Sequence, residues 1–374
     1  MNLYICPRAS NCISKIVKHF ENHFKKIEIY LPVNICYTVP LSLMYTKGEL
    51  KFYDIDYYTL YPDLDSVNKI FEKEFLENKI YNESELLIFL CVIPYGNWNT
   101  VKLKEYKSKI LETLKLKSKL KSSVKDSVFI IWDCALVFPV YEVLQYINEN
   151  CSSYESFVFS FSYAKPLELG FGSALFTKQN ITYNFPLTVD KNLISFLVNK
   201  VDKKFKTYLN LEKVKSKNQS FTCYNSELHI NDQKYILKIL EKIYIKEDFS
   251  LILRKNIKSS YFEILNKKLK TNLLFREFFK LKNKQGIETL DDNPLSWRFN
   301  IRVDSKIRNS LIDEIFKEDV FVSRLFPSLA KYLNLNQNFP NSSQHWQKII
   351  NIFNNQEETY NQKILKIFDK FFKN

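Results

Sequence analysis

The chain has 374 residues, 45% of them hydrophobic, which suffices for a large buried core and excludes a disordered protein. Its length points to two domains, or to one large domain with a smaller appendage. The formal charge of +14 raises the question of a polyanion partner. Lysine dominates the basic residues, however, and no zinc-finger spacing, arginine-rich base-reading motif or ribonucleoprotein aromatic set accompanies it, so no specific nucleic acid is expected.

The first eight residues lack the basic, apolar and small-residue order of a signal peptide, and no apolar run approaches the ~18–20 residues of a membrane span. A cytoplasmic protein without a transmembrane segment is the expectation. Seven widely spread cysteines with no Cys-x-x-Cys pair agree with it, reading as buried free thiols in a reducing compartment.

Residues 12–24 carry Ile13, Ile16, Val17, Phe20 and Phe24, the spacing of an amphipathic helix. The preceding Ala9-Ser10-Asn11 offers free N–H groups and a hydroxyl at the helix start, suited to capping or to binding a phosphate. His19 and His23 lie one turn apart, but no third metal ligand is apparent. Strands are expected over 27–32, 50–54, 86–93 and 128–132, with a helix over 39–45. This alternation predicts an α/β domain with a mostly parallel sheet. Sites in such sheets lie outside the carboxyl ends of the strands, where Tyr95, Asp133 and the turn at Lys165 belong. The lysine-dense stretch 102–125 reads as a helix with one buried stripe and a solvated basic face.

Residues 157–177 stand apart. A buried apolar strand runs to Phe161, a turn presents Lys165, Gly170 and Gly172 follow five and seven residues later, and a second short strand returns. A lysine at the mouth of an apolar site loses solvation and becomes an amine usable for Schiff-base chemistry. Beyond it, 193–211 reads as a long helix, and 231–285 carries helical patterns without a chemical motif. The tail alternates as a strand over 297–303, a helix over 304–316 and a strand over 320–326. Arg298, Arg302 and Arg324 there suit either anionic substrate groups or an exposed sheet face.

In order and spacing these features resemble the fold-type-I pyridoxal-phosphate enzymes, within them the DegT/DnrJ/EryC1 sugar aminotransferases, over nearly the whole chain. The stretches carrying the likeness are Arg8-Ala9-Ser10, Pro32 to Cys36, Phe52-Tyr53-Asp54-Ile55-Asp56, Tyr95-Gly96, Trp132-Asp133-Cys134-Ala135-Leu136, and Ser160-Phe161 through Lys165 to Gly170-Phe171-Gly172-Ser173. Gly48, Gly96, Gly170 and Gly172 fall at or beside positions where that family uses glycine. The chain departs from the pattern at Arg8-Ala9 for Ser-Gly, at Cys36 for a stacking aromatic, at Leu136 for Gln or His, and at Ser173 for the last glycine.

The resemblance implies a mostly parallel central sheet with helices on both faces, in a large cofactor-binding domain over 1–210, followed by a helical connection and a small C-terminal α/β domain over 211–374. It implies pyridoxal 5'-phosphate anchored on Lys165, with Asp133 at the pyridine nitrogen. Ser160, Ala9 and Ser10 would hold the phosphate, Cys36 or Tyr37 would cover the ring, and Tyr95 and Arg324 would contact substrate. The implied activity is a homodimeric aminotransferase that moves an amino group from glutamate to a nucleotide-linked keto-sugar in surface polysaccharide biosynthesis. Two alternatives stay open: a degenerate or non-transaminating member of the same fold, for which Leu136 speaks, and a basic polyanion-binding protein using the 102–125 face.

Overall fold

The structure is a computed structural model that describes residues 1–76, 85–118, 128–181, 230–248, 250–252, 258–282, 286–290, 293–330, 332–354 and 356–373. The helix expected over 193–211, Cys223 and the expected domain boundary near 210 lie outside the described residues.

Seven strands form the main sheet: β1 (Asn2–Cys6), β2 (Lys26–Pro32), β3 (Glu49–Tyr53), β4 (Glu85–Val92), β5 (Val128–Asp133), β6 (Glu155–Ser160) and β7 (Ser173–Thr177), in the order β1-β7-β6-β5-β4-β2-β3. Strands β2 to β6 run parallel, whereas β7 is antiparallel to both β6 and β1. The central strands are near-continuous apolar runs because both of their faces are covered. Along β4, Leu86, Ile88 and Leu90 join one core and Leu87, Phe89 and Cys91 the other. Ile131 and Ile130 divide in the same way on β5, as the period of two in a strand requires.

Helix α1 (Ala9–Phe20) covers one face with Ile13, Ile16, Val17 and Phe20, beside the short α2 (Thr38–Leu43). The helix begins three residues earlier than its apolar spacing indicated, immediately after Arg8. The other face is covered by α3 (Leu64–Leu76), α4 (Thr100–Ser118), α5 (Tyr141–Asn150) and α6 (Ile230–Tyr244). On α4 the stripe Leu103, Tyr106 and Ile110 is buried while Lys104 and Lys109 are exposed. Lys107 on the same helix donates to Glu155 at 2.5 Å, so part of its basic charge is already matched within the protein. No helix among the described residues is long and apolar enough to cross a membrane.

A two-stranded hairpin, β8 (Ser250–Ile252) and β9 (Lys258–Ser260), precedes the long helix α7 (Tyr261–Lys282). Four antiparallel strands then make a second, smaller sheet in the order β10-β11-β13-β12: β10 (Glu288–Thr289), β11 (Phe299–Arg302), β12 (Val322–Ser323) and β13 (Ile349–Ile352). Phe275 and Phe279 of α7, with α8 (Ser305–Lys317) and α10 (Glu358–Phe371), close its core around Phe299, Ile301 and Ile350. The sequence indicated a strand over 320–326, but the ladder ends at Ser323. Leu325 N–H turns instead to the Asn351 side chain, 2.7 Å away, and Leu329 N–H bonds to Val33 O at 2.8 Å beyond the end of β2. Nor do Arg298 and Arg302 lie on an exposed face, since both are buried. Arg298 stacks between Trp297 and Phe353, and Arg302 pairs with Glu288.

The second sheet is tied to the carboxyl edge of the first at discrete points. Asp54, just past β3, caps helix α9 (Pro340–Lys348), accepting from the N–H groups of Asn341 and Ser342 at 2.9 Å each and from the Ser342 hydroxyl. A buried carboxylate satisfying two orphan helix donors is a strong cap. Replacing Asp54 by Ala is expected to cost about 2 kcal/mol in chemical denaturation. An unchanged midpoint would show that this junction does not hold the two sheets together.

Candidate active site at the carboxyl edge of the parallel sheet

Register alone brings the sequence-predicted groups together. Asp133 ends β5 opposite Val92 of β4 and Val158 of β6. Ser160 ends β6 opposite Ser173, and Ser173 pairs in turn with Cys6 of β1. From Cys6 the chain needs only Pro7 and Arg8 to enter α1, so the helix start carrying Ala9 and Ser10 lies beside the end of β6.

Arg8, the N-cap of α1, makes no side-chain capping bond. The first N–H groups of the helix therefore keep their partial positive charge for another acceptor. Ser160 Oγ lies 2.9 Å from Ser162 Oγ. Ser173, where the sugar aminotransferase pattern has glycine, is fully buried; it donates to Cys6 O at 3.1 Å and lies 3.2 Å from Cys12 Sγ. Its hydroxyl is spent on packing beneath α1.

The loop from Phe161 to Gly172 is closed at its base. Phe161 N–H donates to Gly172 O at 2.9 Å, and Phe161 O accepts from Leu169 and Gly170 at 2.8 and 3.0 Å. Gly170 and Gly172 take φ values of +86° and +82°, a region that explains glycine at both positions. Lys165 is half-buried near the top of this loop. Asp133 is 6% exposed, and its side chain has Ala135 N–H on Oδ1 at 2.9 Å as its hydrogen bond among the described residues. Burial pushes the Asp133 carboxyl above the usual carboxylate range, while Ala135 N–H and the Lys165 charge pull it back. The structure thus sets a buried carboxylate within electrostatic reach of the one lysine that the sequence singled out.

Tyr95 and Gly96 form the neighbouring lip, with φ of +48° and +76°. A Cβ on Gly96 would lie 1.9 Å from Leu136 O, so this close approach demands glycine. Tyr95 is buried, and its hydroxyl is committed: it lies 2.5 Å from Leu325 O and 2.8 Å from His345 Nε2. Arg302 Nε donates to His345 Nδ1 at 3.0 Å, which places the imidazole proton on Nε2, donating to Tyr95, and leaves the Tyr95 hydroxyl to donate to Leu325 O. Glu288 anchors Arg302 at 3.1 and 3.2 Å. Beside this lip, Leu136, Pro32, Asn34, Tyr53 and Phe326 line a small, mostly apolar pocket with Tyr95.

The remaining candidates are more dispersed. Cys36 is half-buried with Sγ 3.2 Å from Thr38 Oγ1, and Tyr37 is half-buried at the start of α2. Arg324 turns toward α8, where Nη1 donates to Asn309 Oδ1 at 3.2 Å. His19 and His23 pack ring against ring at 5.2 Å, and no group of three metal-ligating side chains occurs among the described residues. Sequence reasoning missed Trp297 and His345, which touch this edge from up to 250 residues away and belong to no local motif, and Glu168, which lies within the Lys165 loop itself.

Neither a family model nor a curated protein sequence matches this chain. Solved structures do. A DegT/DnrJ/EryC1/StrS aminotransferase from Brucella abortus superposes with a TM-score of 0.63 at 14% identity, over 100% of this chain and 87% of the other. The sugar aminotransferase CalS13 from Micromonospora echinospora gives 0.60 at 11%, over 98% and 87%. The GDP-4-keto-6-deoxy-D-mannose-3-dehydratase of E. coli, with bound hydrated pyridoxal phosphate, gives 0.58 at 15%, over 98% and 87%. The chain has the fold of these fold-type-I enzymes, with the expected mostly parallel sheet between two helical layers and a smaller C-terminal sheet.

His345 makes the junction sensitive to acid. Burial, and then the Arg302 charge, hold its imidazole well below the ordinary range, so on acidification the unfolded chain takes up a proton before the folded one does. Its contribution to stability is full above about pH 6.5 and is lost as pH falls further. Thermal denaturation between about pH 7 and 5 is expected to show a steeper loss for the wild type than for His345→Gln. Equal slopes would contradict a buried neutral imidazole.

Proposed function

We propose that the protein binds pyridoxal 5'-phosphate at this edge and acts as an aminotransferase on a nucleotide-linked keto-sugar. The observation that carries the reading is Asp133, a buried carboxylate at the end of a central strand with a single side-chain hydrogen bond among the described residues and within electrostatic reach of Lys165. An acid left so in a protein interior is costly unless a cationic partner completes it, and a protonated pyridine nitrogen is such a partner. The donor set fits the cofactor at its other end as well, through the uncapped start of α1 beside Ser160.

When bound, the cofactor supplies an aldehyde carbon that captures amines and a ring that accepts an electron pair. Within this frame Lys165 Nζ would hold the cofactor's aldehyde carbon and carry a proton to and from the substrate carbon. Asp133 holds the proton on the ring nitrogen. The N–H groups of Ala9 and Ser10, with the Ser160 hydroxyl, bind the phosphate. Cys36 or Tyr37 covers the ring, and the Tyr95 lip shapes the substrate side without offering its hydroxyl. Arg324 is assigned to a substrate anion, reached by leaving Asn309.

The keto-sugar substrate is suggested by the similar structures, a sugar aminotransferase and a dehydratase of a nucleotide-linked keto-sugar. Glutamate as donor, a homodimer in the cytoplasm and a place in surface polysaccharide synthesis extend the same reading. A second reading, a member of the fold that does not transaminate, is favoured by Leu136, a buried apolar side chain packed with Tyr95 and Phe326 three residues after Asp133, where the sugar aminotransferases carry Gln or His.

Purified protein mixed with pyridoxal phosphate is expected to acquire a visible absorbance band that shifts with glutamate and is missing in Lys165→Ala. A wild type without the band would overturn the cofactor assignment. A band indifferent to every amine donor would decide for the second reading.

A further inference from the structure

Ala164, the residue before Lys165, adopts φ +58°, a region that residues with a Cβ enter only against a steric cost. Both of its backbone polar groups are held by side chains. Glu168 Oε2 accepts its N–H at 3.0 Å, and its carbonyl accepts the indole N–H of Trp297 at 2.7 Å, from 133 residues away. That carbonyl belongs to the planar peptide joining Ala164 to Lys165, so fixing it fixes where the Lys165 side chain departs.

Trp297 is itself immobilised. Its backbone N–H donates to Tyr95 O at 2.8 Å, and its carbonyl accepts from Lys268 Nζ at 2.9 Å. Its ring stacks on Phe326 at 6.4 Å and carries the Arg298 guanidinium at 4.0 Å on its surface. Lys268 is 2% exposed and also donates to Asn354 Oδ1 at 2.6 Å, while Asn354 Nδ2 donates to Ser296 O and to Asn272 Oδ1. Burying an ammonium in such a network is expensive, and the network holds one backbone carbonyl in place. Trp297 thereby touches both positive-φ lips of the site, Tyr95 and Ala164.

We propose that Trp297 is a positioning residue for the Lys165 amine, its indole N–H, backed by Lys268, aiming the lysine at Asp133. The assignment rests on the proposed role of Lys165, but its test does not need the cofactor. In the cofactor-free full chain, each lysine is labelled with a trace of acetic anhydride and its relative rate read by mass spectrometry, with exposed Lys178 as internal reference. Trp297→Phe removes the N–H; benzothienylalanine in place of Trp297 keeps the bicyclic shape and removes only that donor.

In both variants the Lys165 rate is expected to rise about fivefold against Lys178, the factor that one neutral hydrogen bond is worth, as the turn loosens and the amine moves into water. Capture of pyridoxal phosphate on Lys165, trapped with borohydride, is expected to fall by a similar factor. Unchanged labelling of Lys165 in the folded isostere would overturn the proposal, and this arm decides should the Phe variant fail to fold. A rise in labelling with no cofactor capture even by the wild type would support the positioning role of Trp297 while removing the cofactor reading.

Discussion

The arrangement depends on one opposition: the Asp133 carboxylate, buried at the end of a central parallel strand, against the Lys165 amine in the adjacent loop. Burial alone would drive the carboxyl toward its neutral form. The Ala135 N–H and the lysine charge draw it back toward ionisation. The parallel sheet makes this possible because its strand ends converge on one edge while helices cover both faces and exclude water from below. Val92, Asp133 and Val158 lie in register, Ser160 ends β6 two residues farther on, and α1 starts there because β1 and β7 extend the sheet on the far side of β6.

The second sheet completes the edge. Its attachments fall on Val33 beyond β2, Asp54 beyond β3, Tyr95 beyond β4 and Ala164 beyond β6, each a point where the chain leaves a strand of the main sheet. A site built this way couples its geometry to the docking of the C-terminal region. The chain Glu288–Arg302–His345–Tyr95 runs across the same boundary, with every proton assigned, so the Tyr95 lip is positioned by charges more than 190 residues away in sequence.

Much of this was legible in the chain itself. The apolar runs of β2, β4 and β5, Gly170 and Gly172 after Lys165, and Asp133 at a strand end each follow from local pattern, and the structure places them as that pattern implied. What escaped was non-local. Nothing around Arg302 announces that it will be buried against Glu288 and His345, because an alternating arginine reads the same on an exposed face. Trp297 sits in a stretch that reads as a strand, and its partner is a backbone carbonyl, which carries no sequence signature. The early end of β12 at Ser323 is likewise decided by Val33 and Asn351, groups that only the folded chain brings near.

The most direct test of the central claim is Asp133→Asn, measured for both stability and cofactor affinity. Because the folded Asp133 carboxyl titrates above its unfolded value, the unfolded chain ionises first, and stability is lost as pH rises from about 4 through the folded value. The cofactor-free variant should therefore be more stable than the wild type at neutral pH, with the difference vanishing in acid, yet should bind pyridoxal phosphate more weakly. A variant that is less stable at neutral pH and binds the cofactor equally well would contradict a carboxylate kept buried for the ring nitrogen.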